Sequence, residues 1–357
     1  MEYFNEVLND IEKQYQAKHS VDGVSFVAYR DTNRLGTDDD NALLTGMYLG
    51  AASFRAAVRG ITEEDLEPIF DALEGISLLT NVTGVPGVLV RQAFPYENSW
   101  NRIGYDPVMS LTGGNSFGEK MRRDYLYHGD FMGEEYVYLT KTTKDQMTGI
   151  LFGLTCAHIL IPEARDIVRD IVSAIWHRMK VTDYSLVDHT GRTHGTTAYK
   201  LDEPLRVCLN ALYRASVNAS ARKPDSWFFK PCFNRIATLH YNRRIQNTYS
   251  YNLNLLMAHA LLMLEPYHMC DKGVLKWRRI LHNKVAGDEN PHFDLLGQGY
   301  MSNGSVNNLW RRMSEPYHKG FCWSRDPEEW FGHESDKIGP SIDVMLPMWM
   351  ARYYELI

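Results

Sequence analysis

The chain has no CxxC pair. Its five cysteines, Cys156, Cys208, Cys232, Cys270 and Cys322, are odd in number and far apart. That spacing fits neither a zinc ribbon nor a disulfide framework, and buried free thiols in a reducing compartment are the expectation. No Lys/Arg-rich run occurs and the net charge is −6, so no nucleic-acid partner is expected, because a backbone binder needs a clustered basic face. No stretch reaches the roughly eighteen uncharged apolar residues of a membrane span. The start, MEYFNEVLNDIEKQY, lacks the basic opening and apolar run of a secretory signal. The glycine-rich LTGGNSFGEK lacks the GK[ST] ending of a phosphate loop, and neither GxSxG nor HExxH is present. No cofactor or metal is expected. His292 with Asp294, and His333 with Glu334 and Asp336, come nearest to a ligand grouping, without metal-site spacing.

What is present is apolar: 44% of residues are hydrophobic, enough for a large core in one domain spanning 1–357. Residues 3–17 place Phe4, Val7, Leu8, Ile11 and Tyr15 on one stripe of a helix, with charges opposite. Residues 41–58, NALLTGMYLGAASFRAAV, differ: apolar or small residues surround the helix, which predicts burial on every side. Gly46, Gly50, Ala51 and Ala52 would let neighbouring helices approach closely. The preceding TDDD supplies N-cap residues. Residues 63–80 return to one stripe, with Ile69, Leu73, Ile76 and Leu79 or Thr80.

The alternation recurs. Residues 145–160 are apolar all round; the helix opened by Pro162 and Glu163 carries Ile167, Ile171, Ile175 and Met179 at spacings of four. Residues 251–264 are again apolar all round, followed by an amphipathic helix over about 272–283. A further helix spans about 203–217, and the last, about 342–356, is nearly all apolar despite Pro347. Thr45-Gly46-Met47-Tyr48-Leu49-Gly50 matches Thr148-Gly149-Ile150-Leu151-Phe152-Gly153, an internal repeat suggesting a repeated hairpin. Fully apolar helices need neighbours on all sides, and amphipathic ones can cover them from outside. The pattern predicts an all-α fold of two concentric helix layers, an α/α toroid, as a complete or incomplete six-hairpin barrel. The stretches 81–140, 218–250 and 286–340 read as long irregular loops, where function tends to reside.

The motifs DDDN with TGMYLGAASFRAAVRG, VTGVPGVLVR at 82–91, KDQMTGILFGL at 144–154, LVDHTGRTHGTT at 186–197 and DVMLPMWMARYY at 343–354 together resemble the six-hairpin, α/α-toroid proteins related to glycoside hydrolases and polysaccharide lyases. The likeness touches most of the chain through short motifs. It points to a bacterial and phage group whose members often have no assigned activity. The resemblance implies a poly- or oligosaccharide partner, or assembly into a phage particle.

In such a toroid the starts of the inner helices converge. Three of them open with polar residues: Asp40 and Asn41; Asp145 and Gln146; Tyr249, Tyr251 and Asn252. Glycoside hydrolysis needs two carboxylates, one as acid and one as base or nucleophile, and Asp40 with Asp145 is the pair offered. The same residues would serve equally as helix caps. Elimination on a uronate needs a base and a group neutralising the carboxylate. His194 and Tyr199, or His240, Tyr241, Asn242 and Arg243, supply those types, as would a loop that merely holds helix ends. Between 92 and 140, aromatics including Trp100 and Tyr125 interleave with Arg122, Arg123 and Asp124. That mixture suits stacking on sugar rings, and suits packing a loop onto helices just as well. The expectation is a glycosidase, with a uronate lyase and a non-catalytic glycan-binding or phage structural protein as alternatives.

Overall fold

The computed structural model describes residues 2–29, 35–36, 40–96, 126–193, 200–217, 248–267, 271–314, 337–338 and 341–357. Among these the protein is mostly helical, with eleven α-helices. They are α1 (Glu2–Lys18), α2 (Asn41–Arg59), α3 (Glu63–Asn81), α4 (Lys144–Leu160), α5 (Arg165–Val181), α6 (Glu203–Val217), α7 (Thr248–Met263), α8 (Asp271–Val285), α9 (Pro291–Gln298), α10 (Asn303–Ser314) and α11 (Ile342–Tyr353).

The all-round apolar helices are the buried ones. From Asn41 to Ala56 every residue of α2 is buried, as is every residue of α4 from Gln146 to His158 and every residue of α11 from Ile342 to Ala351. α2 packs on α3, α4 and α11; α4 packs on α7; α9 touches α7, α8 and α11. The amphipathic helix α5 buries Val168, Ile171, Val172, Ile175 and Met179. Its stripe is therefore displaced from the one read in sequence, because Ile167 is 40% exposed. A 3₁₀ turn, Pro162–Ala164, precedes α5 rather than forming its first turn.

The repeated TG segments pack on each other. A β-carbon on Gly46 would stand 2.1 Å from the Gly149 carbonyl oxygen, and one on Gly153 would stand 2.1 Å from the Gly46 carbonyl oxygen. Only glycine permits that backbone approach, so the repeat marks the crossing of α2 and α4.

Two of the segments read as irregular hold regular structure. α9 and α10 lie within 286–340, and strands lie within 81–140. β1 (Ser20–Val21) and β2 (Val24–Ser25) form a hairpin; β3 (Val27–Tyr29) pairs with β4 (Leu35–Gly36) and with β8 (Lys337–Ile338). β5 (Gln92–Pro95), β6 (Leu126–Phe131) and β7 (Glu134–Leu139) form an antiparallel sheet ordered β5-β7-β6, with Ala93 opposite Tyr138 and His128 opposite Val137. This sheet delivers two chain segments to the start of α2. The Arg91 amide donates to the Leu139 carbonyl (2.8 Å), and the Ala42 amide donates to the Arg91 carbonyl (3.2 Å). The aromatics it carries mostly pack inward: Phe94, Tyr136 and Tyr138 are buried, whereas Tyr96 is exposed.

Candidate active site

Contacts along the buried helices fix their relative direction. Cys156 Sγ of α4 lies 3.9 Å from Met263 Sδ of α7, and the Phe152 and His259 rings are 6.4 Å apart. Both pairs share one sequence offset, so α4 and α7 run parallel. That offset brings Asn252 level with Asp145. For α2 and α4, the crossing at Gly46 and Gly149 combines with a bond at their starts: Gln146 Nε2 donates to Asp40 Oδ1 (2.8 Å). These helices therefore also run parallel, and all three polar starts lie at one end.

They also share a face. Seven residues are nearly two full turns, which returns a side chain to the same stripe about 10 Å along the axis. Asp145 stands seven before Phe152, Asn252 seven before His259, and Asp40 fourteen before Phe54. The three lower residues meet: His259 lies 6.3 Å from Phe54 and 6.4 Å from Phe152, and its Nε2 is 3.0 Å from the Tyr354 hydroxyl. The polar starts therefore lie at one end of these helices, with an aromatic cluster further along the same stripes. Burial drives the His259 imidazole down to a pKa of about 3, so that cluster is uncharged at neutral pH.

Asp40 occupies the N-cap position of α2 but makes no capping bond with its side chain. The sequence reading of the acidic run as caps therefore holds for the position of Asp40 and not for its side chain, and Thr37, Asp38 and Asp39 lie outside the described residues. Its carboxylate instead takes the Gln146 amide and pairs with Arg91 Nη2 at 3.6 Å, with the side chain 28% exposed. Arg91 is steadied by a bond from Nη1 to the Lys141 carbonyl (3.1 Å). Gln146 is fixed at its other end, where Oε1 accepts from the Thr143 amide (2.8 Å) and hydroxyl (2.7 Å). Thr143 is the N-cap of α4, so Asp145 sits inside the first turn and is not the cap residue either. Its place there suits a carboxylate, since the helix dipole is positive at that end.

Asn41 is 1% exposed, and its Nδ2 donates to the Ser25 carbonyl (2.7 Å). The Ser25 amide donates to Thr45 Oγ1 (2.9 Å), so α2 pins β2 by both backbone groups. Asn252 is also 1% exposed, and among the described residues neither its Oδ1 nor its Nδ2 has a hydrogen-bond partner. Tyr251 is buried; Tyr249 lies in the first turn of α7, where only the backbone is described. Trp100, Arg122, Arg123, Asp124, Tyr125, His194, Tyr199, His240, Tyr241, Asn242 and Arg243 lie outside the described residues, as do His333, Glu334 and Asp336.

Two further polar arrangements occur. His282 Nε2 and Asp294 Oδ1 are 3.0 Å apart, and Asp294 Oδ2 accepts from Ser305 Oγ (2.7 Å) and the Ser302 amide (3.0 Å). Both serines face the carboxylate rather than the imidazole, so the order is wrong for an activated nucleophile. Ser302 Oγ accepts from the Ser305 amide (3.1 Å), as a cap at the start of α10 does. A cleft of about 580 Å³ lies elsewhere, lined by Asp22, Asp71, Glu74, Glu134 and Tyr136 among others. Burial and the neighbouring Glu67 and Glu74 raise the Asp71 carboxyl above its ordinary value. No group of three or more described His, Cys, Asp or Glu residues has the arrangement of a metal site.

Sequence reasoning found Asp40, Asp145, Gln146 and Asn252 but missed Arg91 and Thr143. Thr143 carries a local signal, a threonine three residues before Gln146 ahead of an apolar run, as in a capping box. Arg91 carries none, since its partner lies far along the chain. No family model, curated protein or solved structure matches the chain.

Proposed function

We propose that this protein is a carbohydrate-active enzyme of the α/α-toroid type, hydrolysing glycosidic bonds at the mouth formed by the starts of α2, α4 and α7. The succession of neighbours α2, α4, α7, α9, α11 and back to α2 supports helices arranged about a common centre. The observation that carries the activity is Asp40. Its carboxylate is partly exposed, is not used to cap its own helix, and is oriented by Gln146 and Arg91. Holding a carboxylate in one orientation has a use where a reacting atom must be met at a fixed angle.

In this reading Asp145 is the acid, transferring its proton to the glycosidic oxygen as the bond to the anomeric carbon breaks. Asp40, paired with a guanidinium, is the base and takes a proton from the water that adds to that carbon. A poly- or oligosaccharide is the substrate. His194, Tyr199, His240, Tyr241, Asn242 and Arg243, the parts offered for elimination on a uronate, lie outside the described residues, and the hydrolytic reading rests on Asp40 and its two partners.

The test is a screen of oligo- and polysaccharides for newly released reducing ends, with Asp40→Asn and Asp145→Asn alongside the parent. The parent is expected to cleave at least one substrate, and each variant to lose at least about a hundredfold in kcat with an unchanged melting temperature. Variants that turn over as the parent does would show the pair to be structural. Binding without cleavage by the parent would make the protein a glycan-binding module.

A further inference from the structure

Among the described residues the Asn252 amide has no partner for its donors or for its acceptor. A primary amide has two donor hydrogens and an acceptor oxygen with two lone pairs. Leaving these unpaired in a buried place costs about 1–3 kcal/mol, and native structures rarely keep such a group without a use. Leucine would fill the position as well and avoid the cost, in a helix that is otherwise Leu-rich (Leu253, Leu255, Leu256). Asn252 is level with Asp145 and on the stripe that leads down to His259, which places it on the mouth side of α7.

The charges around it narrow what it would hold. Among the described residues the two cations at the helix starts are each paired with a carboxylate: Arg91 with Asp40 at 3.6 Å, and Lys144 Nζ with Asp202 Oδ2 at 3.5 Å. Asp40 and Asp145 stand at the same mouth. With Asp145 protonated as the acid, a uronate carboxylate brought there would still meet the like charge of Asp40, whereas a hydroxyl would not. Two neighbouring sugar hydroxyls, one donating and one accepting, complement an amide.

We propose that Asn252 is a substrate-binding residue that reads a pair of adjacent hydroxyls, and that the substrate is therefore a neutral oligosaccharide rather than a uronate. This rests on the glycosidase reading above. The experiment is calorimetric titration of the full chain with two panels, one of cello-, malto-, xylo- and chito-oligosaccharides and one of oligogalacturonates and oligomannuronates. The parent and the variants Asn252→Leu and Asn252→Ala are compared. The parent is expected to bind a neutral oligosaccharide, and both variants to bind it at least about tenfold more weakly. Asn252→Leu is expected to melt no lower than the parent, since it removes an unpaired amide at similar volume. Unchanged affinity in a folded Asn252→Leu would overturn the assignment of Asn252. A parent that binds only the uronate panel would overturn the substrate class while leaving a carbohydrate enzyme in place. A parent that binds neither panel would overturn the proposed function and this inference with it.

Discussion

Gly46 and Gly149 meet backbone to backbone, so close that a β-carbon on either would fall within 2.4 Å of a main-chain atom of the other helix. Neither contact is with a flexible side chain that can turn away; relief requires moving a whole helix. Gly149→Ala should therefore destabilise by about 3 kcal/mol or more, the upper range for overpacking a core. Gly60→Ala is the contrast, because nothing lies within 4 Å of its added carbon. Its cost, about 1 kcal/mol, comes from a φ of +98° alone. Urea midpoints of the two variants against the parent measure both, and equal losses would refute the close crossing.

A second prediction concerns the group that ties four helices together. Arg55 Nη1 lies 3.1 Å from Glu12 Oε2, and Arg55 Nε lies 3.3 Å from Asp65 Oδ1, with all three side chains at most 10% exposed. Glu12 Oε1 also accepts from Trp349 Nε1 of α11 at 2.6 Å. Removing one member leaves buried charge without its partner, so Arg55→Met should cost about 3–5 kcal/mol. An exposed pair such as Arg169 with Asp166 should cost little when broken, because solvent screens it. Chemical denaturation of both variants separates the cases.

The third prediction is at the mouth. Gln146→Leu removes the donor to Asp40 and the acceptor for Thr143 in one step, while leaving both carboxylates. If Asp40 works through its orientation, kcat on the screened substrate falls at least about tenfold with KM little changed. Restoring length and polarity with Gln146→Glu would not rescue it, because a carboxylate cannot donate to Asp40. An unchanged kcat in Gln146→Leu would remove Gln146 from the mechanism.

How far this was legible in sequence follows from what burial writes into a chain. A helix enclosed on all sides must be apolar on all sides, and α2, α4, α7 and α11 were visible for that reason. Their parallel direction was not visible, because it depends on pairs such as Cys156 with Met263 that no local pattern links. The β6–β7 hairpin was missed because Leu126–Leu139 alternates weakly. Its turn, too, puts Met132 at φ +55° beside Gly133 at +88°, rather than using the usual Asn-Gly or Asp-Gly. α9 was missed although its signals are local: Asn290 caps it, Pro291 opens it and Gly299 ends it with φ +79°. A helix of eight residues gives too little periodicity to stand out from a Gly- and Asn-rich stretch. At the candidate site, Asp40 and Asp145 were legible as helix starts. The partners of Asp40, Gln146 and Arg91, were settled only by the packing of α2, α4 and β5.

The last prediction is acid lability. Burial lowers the imidazoles of His19, His158 and His292 to about 4 and that of His259 to about 3. In the unfolded chain each titrates near its ordinary value of about 6.5. Between about pH 6.5 and 4 the unfolded state therefore binds more protons than the native state. Stability rises with pH across that window and is lost as pH falls through it, by up to about 1.4 kcal/mol per pH unit for each histidine. Asp294 acts in the same direction at lower pH. Burial alone would raise it, but bonds from His282, Ser302 and Ser305 outweigh that and hold it below its ordinary value, so its contribution disappears as pH falls through the depressed pKa. Urea midpoints should drop steeply from pH 7 to pH 5. His259→Phe, which keeps an aromatic ring against Phe54 and Phe152 but cannot take a proton, should make that drop shallower. A midpoint independent of pH over this range would mean that the four imidazoles are not held neutral in the folded protein.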